Sequence, residues 1–116
     1  METDGWVYFI HEKDNFALFK IGMTKRTPEE RIAELQTGNP SELLIFAVIR
    51  TTDALKCEKM LHRLFSRYRK RGEWFSISVK DIRQACRHNI GYEEREIFFT
   101  PARRFFGMLF RGCGCL

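Results

Sequence analysis

Two short apolar runs begin the pattern. Trp6-Val7-Tyr8-Phe9-Ile10 and Leu18-Phe19-Lys20-Ile21-Gly22 are rich in β-branched and aromatic residues, and the polar stretch His11 to Asn15 separates them. They predict an antiparallel strand pair. Thr27-Pro28-Glu29-Glu30 follows: an N-cap threonine, a proline at the first helical position and a carboxylate placed to close a capping box. This predicts a helix running to about Leu35. Gly38-Asn39-Pro40 stops it, and the almost wholly apolar Leu43 to Ile49 predicts a central strand buried on both faces.

From Thr52 the period changes to that of a helix, with Cys57, Met60, Leu61, Leu64, Phe65 and Tyr68 on one stripe that should face the core. Arg69-Lys70-Arg71-Gly72 breaks this helix and leads into a short aromatic segment, Glu73 to Ile77. Trp74 and Phe75 are expected to cover one face of the sheet. Ser78 with Asp81 opens a third helix whose apolar face is Val79, Ile82, Ala85, Cys86 and Ile90, and Gly91 is its stop signal. The segment from Tyr92 differs in composition. Five of the eleven phenylalanines lie in the last nineteen residues, interleaved with Arg103, Arg104 and Arg111, and residues 101–111 could form a short amphipathic basic helix. The expected architecture is α/β of the α+β kind: a three-stranded, mainly antiparallel sheet flanked by helices over residues 1–91, then a basic aromatic C-terminal extension over residues 92–116.

With 116 residues, the chain has room for one core and a short appendage. Its 44% apolar and 30% charged residues are those of a folded domain. No run of about 18 uncharged apolar residues occurs, and the acidic start is unlike a signal peptide, so a protein without a transmembrane segment is expected. Four cysteines, two of them in helical patterns, are too few for a disulfide scaffold, and Cys113-Gly114-Cys115 has no partner pair at zinc spacing. A cytoplasmic setting follows, or a nuclear one for a protein of a eukaryotic virus. The formal charge is +5, but residues 1–50 carry −2 and residues 51–116 carry +7. An acidic polymer is the expected partner, nucleic acid ahead of an anionic membrane surface.

Val7-Tyr8-Phe9-Ile10, Lys20-Ile21-Gly22, Arg31, Glu58 with Leu61-His62, and Gly72-Glu73-Trp74-Phe75, in that order and spacing, resemble the GIY-YIG nuclease superfamily. The similarity is to its compact branch, common in phages, large DNA viruses and bacteria, and covers roughly residues 5–77. It implies a divalent-metal-dependent endonuclease that hydrolyses DNA phosphodiester bonds. By that resemblance Tyr8 orients or deprotonates the attacking water and Arg31 holds the scissile phosphate. Glu58 binds one Mg2+ or Mn2+ that stabilises the leaving oxyanion. Trp6 stands where the family has glycine, Lys20 where it has tyrosine, and no asparagine follows Glu58 before Gly72. The general base therefore stays open between Tyr8, Lys20 and His62.

Chemistry agrees with these residue types. A phenol acts as a base only if a neighbouring cation lowers its pKa, and Lys20 on the next strand is the expected source. A planar guanidinium suits bidentate phosphate contact, and a half-sheltered carboxylate suits a hard cation completed by phosphate and water. Arg69, Lys70 and Arg71 are a candidate track for the DNA backbone. Plainer roles fit the same residues: a strand aromatic for Tyr8, a surface pair with Glu34 or Glu30 for Arg31, an i,i+4 pair for Glu58 and His62, a partly buried histidine with a backbone partner for His62, and a solvated helix end for the basic run. Two other functions stay open. One is a non-catalytic DNA-binding module derived from the nuclease fold; the other is a protein that docks on a membrane or partner through residues 98–111. The terminal Cys113-Gly114-Cys115-Leu116 is similar to a prenylation box, but the aromatic tail is expected to pack back onto the domain or onto a second copy, giving a homodimer.

Overall fold

The computed structural model describes residues 4–88 and 95–100. Its elements are β1 (Gly5–Glu12), β2 (Phe19–Thr24), α1 (Pro28–Thr37), β3 (Leu43–Thr51), α2 (Ala54–Leu64), a 3-10 turn (Ser66–Tyr68), β4 (Arg69–Arg71), β5 (Trp74–Phe75), α3 (Val79–His88) and β6 (Arg95–Phe99). All six strands join one antiparallel sheet in the order β4-β5-β2-β1-β3-β6. The α+β class is as expected, but the sheet has six strands in place of three. Strands of two and three residues, such as β5 and β4, are too short to carry a readable alternation.

Alternation along β1 divides the core. Val7 and Phe9 face α2 and α3, joining Phe19, Ile21, Cys57, Leu61, Ile82 and Ala85. Tyr8 and Ile10 face the other way, with Val48 and with Ile32 and Leu35 of α1. Pairing of β1 with β3 slips between Phe9 and Ile10, so that Phe9 opposes Ala47 while Ile10 opposes Ile45. Such a bulge sharpens the local twist next to Tyr8. The sheet's middle is β2 and β1; β3 lies one place further out, with Leu44 exposed.

Local signals account for most of the helices. Thr27 Oγ1 accepts from Glu30 N at 3.2 Å while the Glu30 carboxylate accepts from Thr27 N at 3.4 Å, completing the expected capping box. Ser78 and Asp81 exchange bonds in the same way, at 2.9 and 3.1 Å. The second helix is shorter than the apolar stripe implied. It is capped by Asp53 and stops at Leu64, so Cys57, Leu61 and Phe65 are buried while Leu64 and Tyr68 are exposed.

The basic run Arg69-Lys70-Arg71 is therefore an edge strand and not a helix end: Arg69 opposes Phe75 and Arg71 opposes Trp74 across a turn at Gly72, whose φ is +55°. Trp74 and Phe75, expected on one face, are consecutive strand residues and go to opposite faces, Trp74 beside Tyr8 and Phe75 among the residues under α2. Residues 95–99, within the segment expected to be an extension, form β6 against β3. The Gly91 stop, the helix expected at 101–111 and Cys113 to Leu116 lie outside the described residues. Among the described residues no helix is long and apolar enough to cross a membrane.

The shortened α2 stripe is open to measurement. Leu61→Ala is expected to cost about 2–5 kcal/mol in urea unfolding, whereas Leu64→Ala should stay within about 0.5 kcal/mol of the parent.

Candidate functional site

Tyr8 lies at the middle of β1 directly opposite Gly22 of β2. The phenol lies over that glycine so closely that a Cβ on Gly22 would overlap the ring, 2.8 Å from its Cε1. The side chain is 1% exposed, which removes the plain reading of a half-buried strand aromatic with its hydroxyl in water. The hydroxyl accepts a long hydrogen bond, 3.4 Å, from Arg31 Nε. Burial pushes the phenol's pKa above its ordinary value. The Arg31 bond and charge oppose the rise, and the charges of Glu73 and Glu58 add to it.

Arg31 projects from α1, whose rotation about its axis is fixed by the Thr27 cap and by Ile32 and Leu35 packing on the sheet. Besides Tyr8 it meets Glu34, with Nη1 donating to Oε1 at 3.0 Å. The second Glu34 oxygen accepts from Arg26 Nη2. Arg26 first and Arg31 second hold the Glu34 carboxyl below the usual carboxylate range. The surface pair foreseen for Arg31 thus exists, and coexists with the Tyr8 contact.

On the opposite flank, Glu73 leaves the Gly72 turn next to β2, its backbone oxygen accepting from Ile21 N at 3.0 Å. Its carboxylate takes Lys20, Nζ to Oε1 3.4 Å, and the Lys20 ammonium lies 5.7 Å from the centre of the Trp74 ring. α2 contributes Glu58 and His62, one turn apart and 3.9 Å from Oε2 to Nε2. His62 Nε2 is 2.8 Å from the carbonyl oxygen of Ile21. A carbonyl only accepts, so Nε2 carries the hydrogen, and the ring pins α2 to the sheet. The half-buried Glu58 carboxyl is pushed up, first by burial and then by the charge of Glu73, against the pull of His62, Lys59 and Lys20. Glu58, His62 and Glu73 each place a ligand atom within 4.8 Å of the others, a spacing that a divalent cation can bridge.

Of the residues singled out from the sequence, Tyr8 touches Arg31, Lys20 meets Glu73, and Glu58 and His62 come within 4.8 Å of Glu73, with the charges of Glu58 and Glu73 felt at the Tyr8 phenol. Arg69, Lys70 and Arg71 are exposed on the sheet's outermost strand, where Arg69 stacks over Phe75 and donates to the Gly72 carbonyl. One expectation changes: the cation touching Tyr8 is Arg31, while Lys20 pairs with Glu73, and the phenol is raised instead of lowered. Three further residues shape the site. Gly22 makes room for the phenol, Glu34 bridges two arginines, and Glu73 adds a second carboxylate beside Glu58. The sequence offers Glu34 only as a surface partner of Arg31 and Glu73 only within Gly72-Glu73-Trp74-Phe75, while Gly22 stands out as a glycine within a strand pattern.

The T5orf172 domain matches residues 5–90, from β1 through α3, and so includes every residue of this site. The chain belongs to the T5orf172 domain family. T5orf172 domains are associated with DNA binding and nucleases, which makes this a nuclease-like or DNA-binding module. No curated protein and no solved structure matches the chain.

Two measurements test the architecture of this T5orf172 site. Gly22→Ala is expected to destabilise by about 1–3 kcal/mol through overpacking. In a double-mutant cycle the penalty should shrink in a Tyr8→Ala background, because the overlapping ring is gone. Glu58 has a folded-state pKa raised above its unfolded value. Its contribution to stability is therefore present below the unfolded carboxylate pKa and is lost as pH rises through the folded one. Urea unfolding in EDTA should show Glu58→Gln gaining stability relative to the parent between acid and neutral pH; a gap that does not change with pH contradicts the burial argument.

Proposed function

We propose that this T5orf172 domain is a divalent-metal-dependent endonuclease of the GIY-YIG type, hydrolysing DNA phosphodiester bonds. The observation that carries the reading is that a phenol bonded to a guanidinium feels the charge of a half-buried carboxylate, Glu58, which lies with Lys20 around Glu73, so that four separate elements contribute. Phosphodiester hydrolysis needs a positioned water, a neutralised phosphoryl group and a stabilised leaving oxygen, and positioning with electrostatics supplies most of the rate.

Each side chain has a task its surroundings suit. Tyr8 is a neutral, buried phenol whose oxygen accepts from the partly exposed Arg31, so its own O–H would orient an attacking water only where that water enters beside Arg31. Two of the five N–H donors of Arg31 are engaged, and the others can take the scissile phosphate. Lys20, only 17% exposed in its side chain, adds a positive charge on the same side of the sheet as Tyr8. His62 acts as a positioning residue through its bond to Ile21.

Glu58 and Glu73 suit Mg2+ or Mn2+: two carboxylates close enough for one to raise the other's pKa, with oxygen donors that hard cations favour. When bound, the cation supplies positive charge at the leaving oxyanion. His62 Nε2 is taken by Ile21, so the two carboxylates would hold the cation, with Nδ1 the one nitrogen His62 could add. The exposed Arg69-Lys70-Arg71 edge would follow the DNA backbone.

Supercoiled plasmid incubated with the protein and Mg2+ or Mn2+ should be nicked, and Glu58→Ala should abolish nicking by at least about 100-fold. Absence of nicking, or nicking that survives Glu58→Ala, overturns the hydrolytic reading. Salt-sensitive DNA binding without turnover would then identify a binding module, a reading favoured by the Lys20–Glu73 ion pair that already supplies a cation to this carboxylate.

A further inference from the structure

We infer that Arg26 and Glu34 belong to the DNA-gripping machinery. Arg26 takes the backbone phosphate next to the one held by Arg31, and Glu34 acts as the positioning residue that yokes the two guanidiniums. This rests on the reading that Arg31 meets a DNA phosphate, and extends it to a second phosphate of the same strand.

The bridge has an unusual geometry. Glu34 gives one carboxylate oxygen to each arginine, Oε1 to Arg31 and Oε2 to Arg26. The two arginines come from different segments, Arg31 from the helix and Arg26 from the loop before it. That loop is braced at both ends. The buried Thr24 accepts the Arg26 backbone N–H at 3.1 Å, and Thr27 closes the capping box. Arg26 therefore has a fixed backbone next to the phosphate-binding arginine.

Fold stability does not account for this arrangement. The side chains of Arg26, Glu34 and Arg31 are 54%, 44% and 36% exposed, and ion pairs as open as these contribute little to folding. What the bridge does accomplish is electrostatic: it holds two like-charged guanidiniums side by side at the surface, with a surplus positive charge, facing the solvent from which a substrate arrives. Each guanidinium keeps N–H donors free of Glu34, in the planar geometry that phosphate oxygens accept. A polyanion with regularly spaced phosphates is the ligand class that uses both.

The test is equilibrium binding of the full chain to a duplex oligonucleotide in EDTA, titrated with salt, together with plasmid nicking. Arg26→Gln should weaken binding to a similar degree on unrelated sequences and lower the slope of log K against log salt by about 0.9, the value of one lost phosphate contact. Its melting temperature should match the parent's. Glu34→Gln should bind DNA as tightly as the parent or tighter, because a negative charge is gone. Its nicking kcat should fall at least about tenfold, because the guanidiniums lose their alignment. A purely structural Glu34 would instead shift the melting temperature, and a bystander would shift neither.

An unchanged salt slope for Arg26→Gln, or an unchanged kcat for Glu34→Gln, overturns the proposal. The slope is read without metal or turnover. A chain that binds but does not nick would therefore lose the hydrolytic reading and with it the positioning role of Glu34, and keep the Arg26 contact. One that nicks with an unaltered slope would keep hydrolysis and lose the contact. A parent chain with no affinity for DNA overturns both.

Discussion

The contact of the Tyr8 ring with the backbone of Gly22 sets the geometry of everything around it. Two strands side by side normally fill the space above each other's Cα atoms with side chains, and here one strand leaves that space empty for an aromatic ring from the other. The ring is thereby laid across the sheet instead of standing away from it. From there its hydroxyl can reach α1 while its charge environment still includes carboxylates from α2 and the Gly72 turn. Any side chain at Gly22 would lift the phenol and separate groups that now face one another.

Around that ring the charges are arranged in two sets. On one side Tyr8, Arg31, Glu34 and Arg26 form a chain of alternating donors and acceptors that ends in solvent. On the other, Lys20 stands near two carboxylates, of which Glu58 is the more sheltered. A surplus of positive charge on the first side and of negative charge on the second is what a site for an anion next to a cation requires. Neutral side chains of similar size would pack equally well and do neither.

How much of this could be read in advance depended on the range of the signal. Thr27-Pro28-Glu29-Glu30 and Ser78 to Asp81 fixed their helices locally, and both caps form as drawn from the residues alone. Long alternating or apolar runs located β1, β2 and β3. The end of α2 differs from the pattern because apolar spacing continues through Leu64 and Tyr68, although the helix ends at Leu64, a 3-10 turn follows, and both side chains are in solvent. Within the site, Tyr8, Arg31 and Glu58 were recoverable because their types and order are informative. Their partners were legible only in part. Glu34, three residues after Arg31 on the same helix, pairs with it as its spacing implies, whereas its bridge to Arg26 and the placement of Glu73 beside Glu58 come from a neighbouring loop and from a turn. The direction of the Tyr8 shift was missed for the same reason: depth of burial is a property of the assembled sheet, and it outweighs a neighbouring cation.

Strand β4, one of the two edges of the sheet among the described residues, has one more consequence. A free strand edge presents unpaired backbone groups to any other extended chain, and proteins commonly block that route to aggregation with charge. Here every residue of β4 is basic and exposed. Two such edges repel each other, so edge-to-edge stacking of copies is disfavoured at this side, whereas the negatively charged backbone of a nucleic acid is not turned away.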